Sequence, residues 1–223
     1  MNRETIYKTV ALNNDYWDKF YLRDHVMMPS QFCVSVCTEI PDNSTVLELG
    51  SGSGRDAFFF ARSGHRVCGI DLSEQAIQNC NEKGLALGFE YIKFLCGDLG
   101  QLEDIEVACK WARNDSDNHR AIVFYSRFVM HSLNDKQQDL LFANLRKVLL
   151  PGDRLYFEFR TIEDEELKKH FGGHFRRFVD SQLFVKKLRS TLHCEIDYYH
   201  VGQGMAKFRD EDPYVCRIVA RAV

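Results

Sequence analysis

Residues 46–71, VLELGSGSGRDAFFFARSGHRVCGID, place Gly50, Gly52 and Gly54 within five positions, directly after an apolar run. A turn of this kind exposes main-chain N–H groups and lets a ligand come up against the backbone. Two acids follow at the ends of the next two apolar runs, Asp71 in CGIDLS and Asp98 in CGDL. In a sheet of parallel strands those ends line one crevice beside the first turn. There Asp71 can accept both hydroxyls of a ribose, and Asp98 can reach an adenine amine. Glu48 stands just before the glycines. A carboxylate is badly placed next to a pyrophosphate and well placed for a cationic ligand end. The dinucleotide fingerprint GxGxxG puts its third glycine on Arg55 when read from Gly50. Read from Gly52 it falls on Ala57, which the fingerprint tolerates. The pattern alone therefore leaves a dinucleotide open, and Glu48 and Asp98 weigh against it.

The elements that must position these residues read as alternating strands and helices. TVLELG, RVCGID, YIKFLCGD, AIVFYSR and RLYFEFR are near-continuous apolar runs, as buried parallel strands require. RDAFFFARSG, SEQAIQNCNEKGLALG, QLEDIEVACKWAR and NDKQQDLLFANLRKVLLPG carry apolar positions at helical spacing. Ser73 and Asn134 suit helix starts; Gly64, Gly88 and Pro151-Gly152 suit stops. After a further helix in QLFVKKLRSTL, the runs CEIDYYHVG and DPYVCRIVARAV follow each other without a helix, which predicts a hairpin. The expectation is an α/β fold: a doubly wound, seven-stranded, mostly parallel sheet with an antiparallel C-terminal strand and an N-terminal helical cap. One domain, 1–223, is expected, with the cap over 1–40, the core over 41–223 and an insertion at 160–180.

With 45% hydrophobic residues the chain has ample core for that domain. A formal charge of −3 supplies no general attraction to nucleic acid or anionic membrane, and no Asn-Pro-Pro-Tyr-like base-flipping motif appears. No run approaches the length of a spanning helix, so a soluble, cytoplasmic protein is expected. The eight cysteines form no CxxC pair. Cys68, Cys96 and Cys216 fall in apolar runs, where a thiol packs as a small hydrophobe. Cys33 and Cys37 lie one helical turn apart without further ligands nearby, so reduced thiols and no metal are expected.

Taken together, E48-L-G50-S-G52-S-G54, G69-I-D71-L-S and C96-G-D98-L resemble, in order, the first three motifs of the class I (Rossmann-like) S-adenosylmethionine-dependent methyltransferases. AIVFYSR and the terminal hairpin resemble the fourth strand and reversed last strand of that family. The resemblance covers about residues 40 to 223. It implies S-adenosylmethionine as cofactor. Gly50, Gly52 and Gly54 would approach its methionine portion and Glu48 orient its ammonium. Asp71 with Leu72 would bind the ribose, and Asp98 with Leu99 the adenine. Tyr125, at the end of the fourth strand, joins the expected cofactor residues.

The acceptor is less directly written. YWDKFY (16 to 21) is similar to the opening of the thiopurine and tellurite-resistance methyltransferases, whose N-terminal helix closes over the cofactor, and Trp17 is a candidate acceptor contact. The same aromatics also suit plain helix packing. Tyr125, Ser126 and Arg127 should reach the crevice, with His131 on the next turn as either a general base or a packing residue. Arg127, leaving a buried strand, needs a substrate anion or an internal carboxylate such as Glu158. The insertion RTIEDEELKKHFGGHFRRFV (160 to 179) holds Arg160, His170, His174, Arg176 and Arg177. Gly172 and Gly173 interrupt the helix that an HxxxH zinc site presupposes. Arg160, Arg176 and Arg177, with His174, either present forked donors to a phosphate or carboxylate or pair with EDEE as a solvated surface. GHFRRFVD also resembles segments of methyltransferases of bacterial surface-glycan assembly. Catalytic candidates are thus His131, Arg127 and His174. The function expected is O-methylation of a sugar, sugar phosphate or glycan, with an anionic small-molecule or glycan acceptor. S-methylation of a small soft nucleophile and a non-catalytic cofactor-binding scaffold are the alternatives.

Overall fold

Helix α1 (Gln31–Glu39) leads into the core, capped by Ser30, whose side chain accepts from Cys33 N. The structure is a computed structural model and describes residues 16, 28–113, 121–170 and 175–223; most of the N-terminal cap expected over 1–40 lies outside them. Strands and helices then alternate: β1 (Thr45–Leu49), α2 (Arg55–Arg62), β2 (Arg66–Asp71), α3 (Glu74–Ala86), β3 (Ile92–Cys96), α4 (Leu102–Arg113), β4 (Ile122–Arg127), α5 (Asp135–Val148) and β5 (Arg154–Arg160). Helix α6 (Ser181–Ser190) leads to the pair β6 (Cys194–Gly202) and β7 (Val215–Ala222). Ser73 and Asn134 cap α3 and α5 as expected; Asn134 and Gln137 form a reciprocal capping box.

The seven strands run in the order β3-β2-β1-β4-β5-β7-β6. All neighbours are parallel except β7, which is antiparallel to both β5 and β6. The reversed strand therefore lies inside the hairpin end of the sheet, and β6 takes the edge. Winding direction reverses between β1 and β4, which opens a crevice at their carboxyl ends.

The inner strands bury alternate residues into two cores, while the edge strands β3 and β6 are largely open. Leu47, Leu49, Ile70 and Phe124 pack with Ile105, Leu141 and Phe184 of α4, α5 and α6. Val46, Val67, Tyr125 and Tyr156 pack with Phe32, Phe58 and Phe60 of α1 and α2. Burial on both faces is why β1 reads as an unbroken apolar run around Glu48. One expectation fails here: Cys96 is exposed, because it ends β3, the edge strand, and faces no covering helix. The remaining thiols are free and, apart from half-buried Cys37, buried.

Candidate cofactor and acceptor site

The turn after β1 is made by three residues in the left-handed region: Gly50, Gly52 and Gly54 have φ of 77°, 50° and 69°. At Gly50 the requirement is also steric, since a Cβ there would stand 2.3 Å from Val129 Cγ2. The turn is tied to β2, with Gly50 N and Ser51 N both donating to Ile70 O at 2.8 and 3.1 Å. Asp71 completes the tie. Its Oδ2 accepts from Gly52 N at 2.8 Å and its Oδ1 from Ser73 N at 3.0 Å, so one carboxylate fixes both the glycine turn and the start of α3.

Beneath the turn lies Glu48, 4% exposed, with Oε2 buried and lacking a hydrogen-bond partner among the described residues. Burial, and then the charge of Asp56, push its pKa well above the usual carboxylate range, opposed by Arg55 and the Ala57 N–H. Asp56, in the first turn of α2 and 3% exposed, is fully engaged. It accepts from Ser30 N, Ser30 Oγ and Tyr125 Oη, each at 2.7 Å. Tyr125, expected at the cofactor, is completely buried and stacks on Phe32 at 5.2 Å. It reaches the site through Asp56 rather than by touching the crevice.

Asp98, expected at the adenine, is exposed two residues beyond β3, and its Oδ1 accepts from Gly100 N at 2.7 Å. Leu72 is exposed beside Asp71, and Leu99 is buried in the core. A cation-seeking carboxylate oxygen, a bare turn and two rim aspartates match the chemical parts of S-adenosylmethionine, an ammonium, a sulfonium, a ribose and an adenine. These residues fit that cofactor.

The residues expected at the acceptor come from β4, β5 and β7. Arg127 meets the internal carboxylate: its Nε donates to Glu158 Oε1 at 2.8 Å, and Arg217 Nε donates to Oε2 at 2.7 Å. Phe128, next along the chain, has a positive φ of 62°, a strained conformation held by its N–H donating to Glu158 O at 2.8 Å. His131 is buried, stacked edgewise on Phe128, and its Nδ1 accepts from Arg160 N at 3.3 Å. That is a packing arrangement rather than a base standing open to the crevice.

The insertion departs from the expected set of open donors. Arg160 is 6% exposed and clamped by Asp164 at 2.7 Å and Glu211 at 2.6 Å. Arg177 donates to Asp135, Gln138 and Met130 O, and its own N–H to His131 O, pinning the insertion onto α5. Arg160 is spent on internal partners because it would otherwise be a buried charge, and half-buried Arg177 is held by groups on and next to α5. Arg176 is half-buried; burial, then the charge of Arg160, hold its pKa below the ordinary value. Lys168 pairs with Asp210 at the surface. Trp17 and His174 lie outside the described residues. No group of three His, Cys, Asp or Glu suited to a metal occurs among the described residues, nor is any helix there long and apolar enough to cross a membrane.

Sequence reasoning missed Asp56, Ser30, Arg217 and Glu211. Asp56 reads as an ordinary first-turn acid and Arg217 as a strand residue; only pairing across strands and helices gives either a partner.

Residues 46–152 match the model of a methyltransferase domain. The chain is 31% identical over 145 residues to the arsenite methyltransferase of Homo sapiens, an alignment covering 62% of this chain and 37% of that protein. It spans between 20% and 46% of the length of the curated relatives it matches. Among solved structures, it is similar to TehB from Haemophilus influenzae, with a TM-score of 0.64 and 17% identity over 95% of this chain and 67% of that one. It is also similar to the glycopeptide N-methyltransferase MtfA complexed with S-adenosylmethionine, with a TM-score of 0.64 and 15% identity over 88% and 95% of the two chains. At those identities the structural likeness speaks for the fold, and the domain match for the class. The glycine turn after β1 falls within the matched segment and the reversed β7 accords with the fold likeness, and residues 46–152 of the chain carry a methyltransferase domain.

Proposed function

We propose that the protein transfers the methyl group of S-adenosylmethionine to a small acceptor seated against the carboxyl ends of β4 and β5. The observation that carries this reading is the buried, unpartnered Oε2 of Glu48 beneath the Gly50–Gly54 turn. When bound, the cofactor supplies an electrophilic methyl on sulfur. The chain's own part is to orient: the turn admits the ligand to bare backbone, Glu48 takes its cationic end, and Asp71 and Asp98 hold its two polar ends. Holding donor and acceptor in line, away from water, supplies most of what such a transfer needs.

The acceptor nucleophile in this reading arrives ready to attack: a thiolate, another soft centre, or an oxyanion. A neutral sugar hydroxyl would want a base at that edge. Glu158 has both oxygens on arginines and His131 has Nδ1 on a backbone N–H. The arsenite methyltransferases among the curated relatives favour the same choice. O-methylation of a glycan stands as the weaker reading, with His174 as its base.

Purified protein and methyl-labelled cofactor, presented with arsenite, thiols, sugar phosphates and neutral sugars, test this directly. Transfer to one or more of the first three is expected. Transfer to neutral sugars alone would replace the reading with hydroxyl chemistry, and no uptake of cofactor would remove both.

A further inference from the structure

Glu158 stands in the middle of a row of three charges laid across neighbouring strands. The ladders pair Arg127 with Glu158 and Glu158 with Arg217. Glu158 is 1% exposed, while the arginine side chains keep 17% and 16% of theirs. Two cations share the one carboxylate of the row, and Arg127 also feels the charge of the buried Asp56. Both arginines meet Glu158 through Nε, which leaves the outer, forked edge of Arg127 and one Nη of Arg217 for another partner. One Nη of Arg217 donates to Met205 O at 2.6 Å. The Nη groups of Arg127 have no acceptor among the described residues. The planes are steadied from below, Arg127 over the Phe128 ring at 4.0 Å and Arg217 over Phe32 at 5.2 Å.

The row also lies in the right place. Tyr125 pairs with Glu48 in the β1–β4 ladder, Arg127 is two residues further on, and Val129, two beyond that, lies against Gly50. That sets the guanidiniums at the carboxyl edge beside the methionine end of the cofactor cradle, on the face covered by α1.

We infer that Arg127 and Arg217, held side by side by Glu158, form the receptor for an oxyanion, carboxylate or phosphate, carried by the methyl acceptor. The inference rests on the methyl-transfer reading and deepens it by naming the acceptor's handle. Forked donors match planar carboxylates and phosphates, and Glu158 sets their planes before a ligand arrives, so little ordering remains at binding. The insertion arginines cannot serve instead in the same way, since Arg160 and Arg177 are already clamped.

The test uses the full chain. Calorimetry first reads affinity for S-adenosylmethionine. Methyl phosphate and acetate are then titrated into protein loaded with the demethylated cofactor. Saturable binding of at least one probe is expected, and the stronger one tells phosphate from carboxylate. Arg127→Gln and Arg217→Gln should each weaken that probe by roughly tenfold or more, as loss of a charge-assisted fork implies, with cofactor affinity unchanged. Arg127→Lys, which keeps the charge but loses the fork, should recover only part. On the unsubstituted protein, phenylglyoxal should modify Arg127 and Arg217, and the probe should slow it. Three results overturn the inference: no saturable uptake of either probe by protein that binds the cofactor, probe affinity indifferent to both substitutions in folded variants, or arginine modification that the probe does not slow. Loss of cofactor binding with probe binding intact would instead sink the methyl-transfer reading and leave the anion receptor standing.

Discussion

Tyr125 donates its hydroxyl proton to Asp56 across 2.7 Å, joining the end of β4 to the first turn of α2 beneath the glycine turn. Ser30, the cap of α1, adds two more hydrogen bonds to the same carboxylate. One buried acid thus gathers three elements under the glycine turn. Asp56→Ala would leave Ser30 N without a partner and Ser30 Oγ and Tyr125 Oη with only each other at 3.2 Å, at about 1–3 kcal/mol for each stranded donor that water cannot reach. Urea unfolding should show a loss of at least roughly 3 kcal/mol, and Tyr125→Phe a smaller one of about 1.5–3 kcal/mol, the usual contribution of a hydrogen bond to a charged group. An Asp56→Ala variant as stable as the parent would mean this gathering does not occur in solution.

Glu48 should make cofactor binding sensitive to pH. Its folded pKa is raised, by burial first and Asp56 second. The folded state therefore holds a proton that the unfolded chain gives up at ordinary carboxylate pH. The stability this contributes is complete below the unfolded pKa and declines as pH rises toward the folded one. Denaturant unfolding at a series of pH values should show that decline, and Glu48→Gln should flatten it. A cationic ligand end beside Glu48 favours the ionised form, so uptake of S-adenosylmethionine near neutral pH should release up to about one proton. Calorimetry in buffers of differing ionisation enthalpy reads the release, and Glu48→Gln should abolish it.

Gly50→Ala tests the cradle on two separate counts. The new Cβ would collide with Val129 Cγ2, and the backbone would remain at a φ of 77°. Cofactor affinity should fall by more than tenfold. Adding Val129→Ala removes the collision but not the left-handed backbone, which costs roughly 1–2 kcal/mol for a residue with a Cβ. Partial recovery is expected; full recovery would show that only the collision mattered.

Asp71→Ala removes the acceptor that fixes Gly52 N and Ser73 N and, in the proposed function, holds the ribose. Affinity for S-adenosylmethionine should drop by about 1.5–3 kcal/mol, the range for a charge-assisted bond. Unchanged affinity would place the ribose elsewhere.

Arg160→Ala should act on stability rather than on recognition. Its removal takes their shared cation from Asp164 and Glu211, 0% and 8% exposed, leaving Asp164 with Lys169 at 3.4 Å and Tyr214 N, and Glu211 with His170 N. Breaking a buried pair costs roughly 3–5 kcal/mol. Thermal or denaturant unfolding checks the loss. A stable variant with weakened acceptor use would return Arg160 to the substrate role its position in the insertion first implied.

The order of strands and helices, the hairpin at the end and the glycine turn with its neighbouring acids were written in local patterns: unbroken apolar runs, helical spacing, capping residues, and glycines and acids at fixed offsets. Those signals survive in one dimension because each concerns neighbours along the chain. Glu48, Asp71 and Asp98 could be named from their places at strand ends. What no local pattern carried was the fate of the charged groups. Arg160 and Arg177 look open in the sequence and are clamped in the fold, while Arg217, unremarkable inside RIVARA, shares Glu158 with Arg127. Exposure of Cys96 likewise followed from β3 taking the sheet edge. A buried charge must find its partner wherever strand register and helix packing bring one, so pairing of this kind is decided only when distant segments meet.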